Sequence, residues 1–157
     1  MQQGIEPATR VRASRRVRSR PCLPPSSYMD MNQPIPEGAL LFVWNADSGW
    51  QNALMDSLHK AVRPESYPCS LCRLTYGVVG PRADWKRFLK EWGRPAAFLH
   101  RDEFHAMDAT GRWEGLALPA VLAWRSGEWE LVIGAETFSG LESLEQLTGL
   151  LNKLPRP

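Results

Sequence analysis

The sequence feature that most limits the fold is the apolar run LLFVW at residues 40–44, which has the length of a single strand. A strand that is apolar on both faces must be covered on both faces, which is typical of α/β sheets. The polar residues 45–49 end this strand. They also predict the start of a helix, because Asp47 and Ser48 are good N-cap residues. We therefore predict an α/β fold whose first strand is buried on both sides.

Hydrophobic spacing and turn residues predict the other elements. The predicted helices lie at residues 50–62, 83–92 and 141–154. The predicted strands that follow the first lie at residues 96–100, 118–124 and 129–134. The last two strands flank a short turn at residues 125–127 and form the clearest hairpin in the chain. Residues 101–105 are predicted to continue from the carboxyl end of the second strand.

This element order resembles the thioredoxin-like arrangement. A long crossover makes the first two strands parallel, and the hairpin adds two antiparallel strands, giving a central mixed four-stranded sheet flanked by helices. Thioredoxin-like proteins hold a proline in cis beside their active site, and Leu118-Pro119 at the start of the third strand resembles that proline. The resemblance therefore implies a site close to Pro119.

The first 36 residues differ in composition from the rest of the chain. Residues 1–28 carry six arginines and one glutamate, a net charge of +5, which leaves a net charge of −3 on the remainder. Repelling charges and prolines predict a disordered extension over residues 1–36, ahead of one domain at 37–157. We interpret the extension as a translated segment upstream of a start at Met29 or Met31. Because the folded body is mildly acidic, we predict no nucleic-acid partner for it.

The cysteine count and the hydropathy of the chain bear on its compartment. Three cysteines are an odd number, which does not suit the disulfide framework of a small secreted protein. No apolar run approaches the roughly 20 residues that a membrane-spanning helix needs. We therefore predict no membrane association and a reducing, cytoplasmic environment. Cys22 lies in the extension and is not expected to serve the domain.

The stretch YPCSLCRLT at residues 67–75 carries the sharpest chemistry in the chain. Cysteines at i and i+3 on a helical turn can close a disulfide, and the start of a helix lowers the pKa of the first thiol. In this interpretation Cys69 is the catalytic nucleophile, Cys72 resolves the intermediate, and the partner is a small-molecule or protein thiol. In thioredoxins the pair directly follows the first strand, whereas here it follows the helix predicted at residues 50–62.

Two other interpretations of the same cysteine pair remain open. The spacing also matches half of a structural zinc site, so zinc is the one cofactor that we consider. The candidates for the missing metal ligands are His59, His100, Asp102 and His105. Alternatively, the two cysteines are small apolar core residues of a non-catalytic interaction domain.

Polar residues cluster just after the first two predicted strands. Asn45 to Ser48 follow the first strand, and His100 to Glu103 follow the second. In open α/β sheets, ligands bind at the carboxyl ends of the strands, so these residues predict a site shared with the cysteines. The predicted binding residues are Asn45, Asp47, Ser48, Tyr67, His100, Asp102 and Pro119.

Several short segments resemble those of a family of small bacterial proteins, some of which carry the label GTPase. The matching segments are NADSG (45–49), HK (59–60), YPCSLC (67–72), LTYG (74–77), Trp85, LHRDEF (99–104) and LPAV (118–121). The resemblance spans about residues 40–153 and implies kinship without an assigned activity. The GTPase label lacks a chemical basis here. A P-loop needs a lysine after its glycines, and the glycine cluster at residues 77–80 has none.

Overall fold

The computed structural model describes residues 29–48, 69–77 and 80–156. The strands are β1 (Leu40–Val43), β2 (Tyr76–Gly77), β3 (Gly80–Pro81), β4 (Ala96–Leu99), β5 (Ala120–Arg125) and β6 (Glu128–Ile133). The helices are α1 (Ser70–Thr75), α2 (Ala83–Trp92), α3 (Arg101–Met107), α4 (Ala135–Ser139) and α5 (Leu144–Lys153). The helix predicted at residues 50–62 and the extension at residues 1–28 lie outside the described residues.

The main sheet has four strands in the order β4-β1-β5-β6, which confirms the predicted α/β fold with a mixed four-stranded sheet. β1 runs parallel to β4 and antiparallel to β5, and β5 runs antiparallel to β6. The central position of β1 explains its apolar sequence, because all four of its residues are buried. The short strands β2 and β3 form a separate antiparallel pair.

The predicted hairpin is confirmed as β5 and β6. Its two turn residues, Ser126 and Gly127, have φ angles of 51° and 85°. Two successive positive φ angles are the signature of a type I′ turn, whose twist matches that of the flanking strands. Glycine accepts this conformation without strain, which explains why Gly127 marks the turn in the sequence.

The sheet separates two apolar layers. We call the side that holds Leu40 and Phe42 the cysteine face, because Cys69 and Cys72 pack there with buried residues of α1, α2, α4 and α5. The opposite face holds Leu41, Val43 and Phe104 of α3, together with further apolar residues. The partly buried residues that pack on this opposite face from the chain preceding β1 are Met29, Met31 and Ile35. Both faces of the sheet are therefore covered, as the apolar strand predicted.

The chain that precedes β1 packs on the sheet from Met29 onward. The backbone N–H of Met29 donates to the carbonyl of Ala96 in β4 at 3.0 Å, and apolar side chains around it reach the opposite face. Residues 29–36 contain no helix or strand, but they cover part of the sheet and contribute to its burial.

The helix α2 has the predicted bounds, whereas two other segments differ from the prediction. Gly93 ends α2 in the left-handed conformation, with φ 66°. The last helix starts at Leu144, because the Ser143 hydroxyl accepts the backbone N–H of Gln146 at 3.2 Å and caps it. Leu141 therefore precedes that helix instead of opening it. Residues 101–107 form α3 and do not extend the strand before them.

Among the helices of the described ranges, none combines the length and the apolar character needed to cross a membrane.

Candidate thiol site

The chain returns to the carboxyl end of β1 at Cys69. The backbone N–H of Asn45, two residues beyond β1, donates to the Sγ atom of Cys69 at 3.3 Å. Cys69 is also the residue that precedes α1, and its carbonyl accepts the N–H of Arg73 at 3.0 Å. The cysteine pair therefore lies beside the end of the central strand, although a long segment separates the two in sequence.

The two thiols contact each other and differ in acidity. Cys69 and Cys72 are both free cysteines, and they lie one helical turn apart at the start of α1. The Cys72 hydrogen bond is the main cause that lowers the pKa of Cys69 from 9.0 to about 7, against the opposing effect of burial. Backbone amides of Cys72, Asn45 and Leu71 lower that pKa further. The same hydrogen bond and burial raise the pKa of Cys72, so Cys69 is the thiol that ionises first.

Apolar side chains enclose the pair. The exposed fraction is 0% for Cys69 and 1% for Cys72, and both belong to the core of the cysteine face. Trp44 lies in the same core and meets the ring of Tyr76 edge to face, at 5.4 Å between ring centroids. A thiolate at Cys69 therefore depends on the surrounding N–H and S–H donors for its stabilisation, because water does not reach it.

Pro119 lies at the same end of the sheet. Val43, the last residue of β1, pairs with Ala120, so the residue before Ala120 lies just beyond the end of β1. The Leu118–Pro119 peptide bond is cis, as the resemblance to thioredoxin-like proteins implied. The structure thus brings Pro119, Asn45 and the cysteine pair to one edge of the sheet.

The loop after β1 also binds the start of α3. The carboxylate of Asp47 accepts two hydrogen bonds from Arg101, at 3.0 and 2.7 Å. The hydroxyl of Ser48 donates to Asp102 at 2.6 Å, and the Ser48 backbone N–H donates to the same carboxylate at 2.9 Å. We call these two pairs the loop latch. Its members were predicted to meet at this sheet edge, apart from Arg101, which the sequence analysis did not select.

Asp102 is held in its ionised form by the loop latch. Burial raises the pKa of Asp102, but the hydroxyl and N–H of Ser48 and nearby backbone amides outweigh burial and lower it. Within the described residues, no hydrogen bond or ion pair links Asp47 or Asp102 to either thiol. The carboxylates and the thiols thus lie at the same end of the sheet without a bond between them, and Asn45 is the loop residue whose N–H contacts Cys69.

His100 acts as a helix cap. Its Nδ1 atom lies 2.9 Å from Oε2 of Glu103, and that same oxygen accepts the backbone N–H of His100 at 2.8 Å. This is a capping-box arrangement at the start of α3. Glu103 was predicted to lie at this end of the sheet but not to cap a helix, although a glutamate three residues after a helix start is the signal for such a cap. Phe104 of the same helix packs on the opposite face of the sheet, away from the cysteines.

The described ranges contain no complete set of ligands for a zinc ion. Among residues 29–48, 69–77 and 80–156, no three side chains of the histidine, cysteine and carboxylate types are grouped so that they could hold a metal ion. His59 and Tyr67, which were predicted as a metal ligand and a binding residue, lie outside the described residues. His105 is exposed on α3.

No family model matches the chain, and the searches of curated proteins and of solved structures found no significant match.

Proposed function

We propose that the protein is a thioredoxin-like thiol–disulfide oxidoreductase, with Cys69 as the nucleophile and Cys72 as the resolving thiol. The observation that carries the proposal is the hydrogen bond from the Asn45 N–H to Sγ of Cys69 beside the end of β1, with the free Cys72 one helical turn further along α1. A buried pair that served only as packing would not need these donors around one sulfur.

The sheet order supports the thioredoxin-like assignment. A parallel strand on one side of β1, an antiparallel hairpin on the other and helices on both faces match the arrangement predicted from the sequence. The cysteine pair comes after a longer segment than in thioredoxins, but it reaches the equivalent end of β1. The placement of Pro119 beside that end supports the same assignment.

The chemistry is a two-step exchange. The thiolate of Cys69 attacks one sulfur of a substrate disulfide, a mixed disulfide forms, and the other substrate sulfur leaves as a thiolate. Cys72 then loses its proton and attacks Sγ of Cys69, which forms the Cys69–Cys72 disulfide and releases the second substrate sulfur as a thiolate. The substrate gains two electrons and the protein loses two. The released thiolates take up two protons, equal to those that the two thiols give up.

The acidity difference suits this order of attack. A pKa of about 7 makes roughly half of Cys69 a thiolate near neutral pH, whereas Cys72 stays protonated until the mixed disulfide has formed. Because both thiols are buried, reaction with a partner requires a movement that uncovers Cys69. We infer a small-molecule or protein disulfide as the partner, and a reducing compartment such as the cytoplasm as the setting for the free thiols.

Trapping with oxidised glutathione tests this function. In a Cys22→Ser background, which removes the third thiol, Cys72→Ser should form a mixed disulfide with glutathione at Cys69. The matched variant Cys69→Ser should react at least about tenfold more slowly near neutral pH, because burial raises the pKa of the remaining Cys72 thiol. The background protein should instead form an internal disulfide that dithiothreitol reverses, as read by intact mass.

Two results would contradict the redox proposal. Equal and slow reaction of Cys69→Ser and Cys72→Ser would indicate that the pair is core packing. Thiols that react only after a chelator has released about one zinc ion per chain would indicate the metal site, with His59 as a further ligand to test.

A further inference from the structure

A buried arginine lies at the end of the sheet opposite to the cysteines. Arg94 is 7% exposed, and its guanidinium lies over the ring of Trp92 at 5.2 Å from the ring centroid. Its Nη2 atom donates to the carbonyl of Gly38 at 2.8 Å. Its Nε and Nη1 atoms are buried and have no hydrogen-bond partner. A buried charge with unused donors is costly, so this arrangement calls for a partner.

No carboxylate in the described part of the chain supplies that partner. The charges that act on Arg94 are those of Arg156 and Arg125, and after burial they are the causes that lower its pKa. Two acidic residues near these arginines have other partners. Glu130 pairs with Arg125 at 3.3 Å, and Glu37 accepts the backbone N–H of Ser126 at 3.2 Å. Glu130 thus partly neutralises Arg125, whereas neither Arg94 nor Arg156 has an ion pair among the described residues.

We propose that Arg94, Arg125 and Arg156 form a binding site for a phosphate group, with the free guanidinium donors of Arg94 at its base. Guanidinium groups are the preferred donors to phosphate oxygens, and two arginines without an acidic partner, Arg94 and Arg156, suit a dianion better than a carboxylate. Arg156 is exposed and the Arg125 side chain is one third exposed, so these two arginines form the side of the site that can open to a ligand.

The site is independent of the proposed redox function. Gly38 precedes β1 and contacts Arg94, whereas Asn45 follows β1 and contacts Cys69. Six residues, four of them in β1, lie between these two contacts, a span of roughly 20 Å. The phosphate site is therefore a second ligand site of the same sheet, at the amino ends of β1 and β4.

Inorganic phosphate tests the proposal on the full chain. The melting temperature of the reduced protein should rise with phosphate and should not rise with sodium chloride or sodium acetate at the same ionic strength. Arg94→Met should lose this response, with affinity weakened on the order of tenfold or more, because hydrogen bonds to a charged group are lost. The fluorescence of Trp92, which lies under the guanidinium, gives a second readout of binding.

Arg112→Met is the matched control, because Arg112 also lies 5.2 Å from the centroid of a tryptophan ring, that of Trp113. It differs in being half exposed and paired with Glu128, so its removal should leave the phosphate response intact. Arg156→Gln changes an exposed residue without disturbing the core and should weaken phosphate binding severalfold. Without phosphate, Arg94→Met should be at least as stable as the wild type, since it removes an unpaired buried charge.

Three results would overturn the proposal. In the first, phosphate does not raise the melting temperature of the wild-type protein. In the second, Arg94→Met and Arg156→Gln both keep the full rise in melting temperature. In the third, acetate raises the melting temperature as much as phosphate does.

Discussion

At the scale of single residues, the two cysteines differ in the donors around each sulfur. The Cys72 thiol and backbone amides including that of Asn45 stabilise a thiolate at Cys69, whereas burial and Cys69 itself oppose ionisation of Cys72. Because the pKa of Cys69 is lowered, its thiolate forms as the pH rises through about 7, below the ordinary value of 9.0. We expect the ultraviolet absorbance of the thiolate to rise with a midpoint near pH 7, in a Cys22→Ser background.

The control for this titration is Cys72→Ala in the same background. It removes the strongest donor to Cys69 and should move the midpoint upward, although the Asn45 amide remains. A midpoint that stays near 7 in Cys72→Ala would assign the effect to the backbone amides alone. A wild-type midpoint near 9 would remove the acidity argument for Cys69 as nucleophile.

At the scale of elements, the loop latch fixes the segment that carries Asn45. Asp102 on α3 holds Ser48 through two hydrogen bonds, and Arg101 holds Asp47. Asp102→Ala should lower the free energy of unfolding by up to about 1 kcal/mol, since the bonds are solvent-exposed. It should also speed alkylation of Cys69 by iodoacetamide, because the loop that donates to its sulfur is less restrained.

Asp84→Ala is the matched control for that variant, since Asp84 is also an exposed carboxylate in the first turn of a helix, α2. It should cost similar stability and leave the alkylation rate unchanged, because no hydrogen bond among the described residues joins α2 to residues 44–48. Equal alkylation rates in the two variants would show that the loop latch does not govern access to the thiol.

The sequence predicted the elements that have a strong repeating pattern or a clear stop. The apolar run of β1, the stripe of α2 ahead of Gly93 and the turn at Ser126 and Gly127 all mark their elements within a few residues. The short helices α3 and α4, with seven and five residues, are too short to show helical periodicity. Their existence depends on caps and packing against the sheet instead.

The residues of the candidate site also fall into those whose position the sequence predicted and those whose position it did not. Residues that directly follow a strand were placed correctly at the sheet edge, because strand direction alone decides where they lie. The topology predicted a site shared by Asn45 and the cysteines, but the contact between Asn45 and Cys69 was not predictable, since no local sequence pattern specifies it. The unpaired donors of Arg94 were equally hidden, because sequence does not show which arginine loses its contact with water.

At the scale of the whole molecule, the sheet keeps two distinct sites apart. The thiols lie at the carboxyl end of β1 and Arg94 lies at its amino end, with the cores of both sheet faces between them. Such separation predicts that changes at one end leave the other end unaffected. β1 joins the two neighbourhoods through its flanking residues, Gly38 before it and Asn45 after it, and β5 runs alongside it from Ala120 to Arg125.

A double-mutant cycle measures that independence. The effects of Cys69→Ala and Arg94→Met on the free energy of unfolding should add within about 0.5 kcal/mol, because the two side chains share no partner. The contacting pair Cys69→Ala and Cys72→Ala serves as the positive control, and their coupling should reach about 0.5–3 kcal/mol. Coupling above about 1 kcal/mol between Cys69 and Arg94 would instead mean that β1 transmits strain between its ends. Binding of phosphate at one end would then change the pKa of Cys69 at the other.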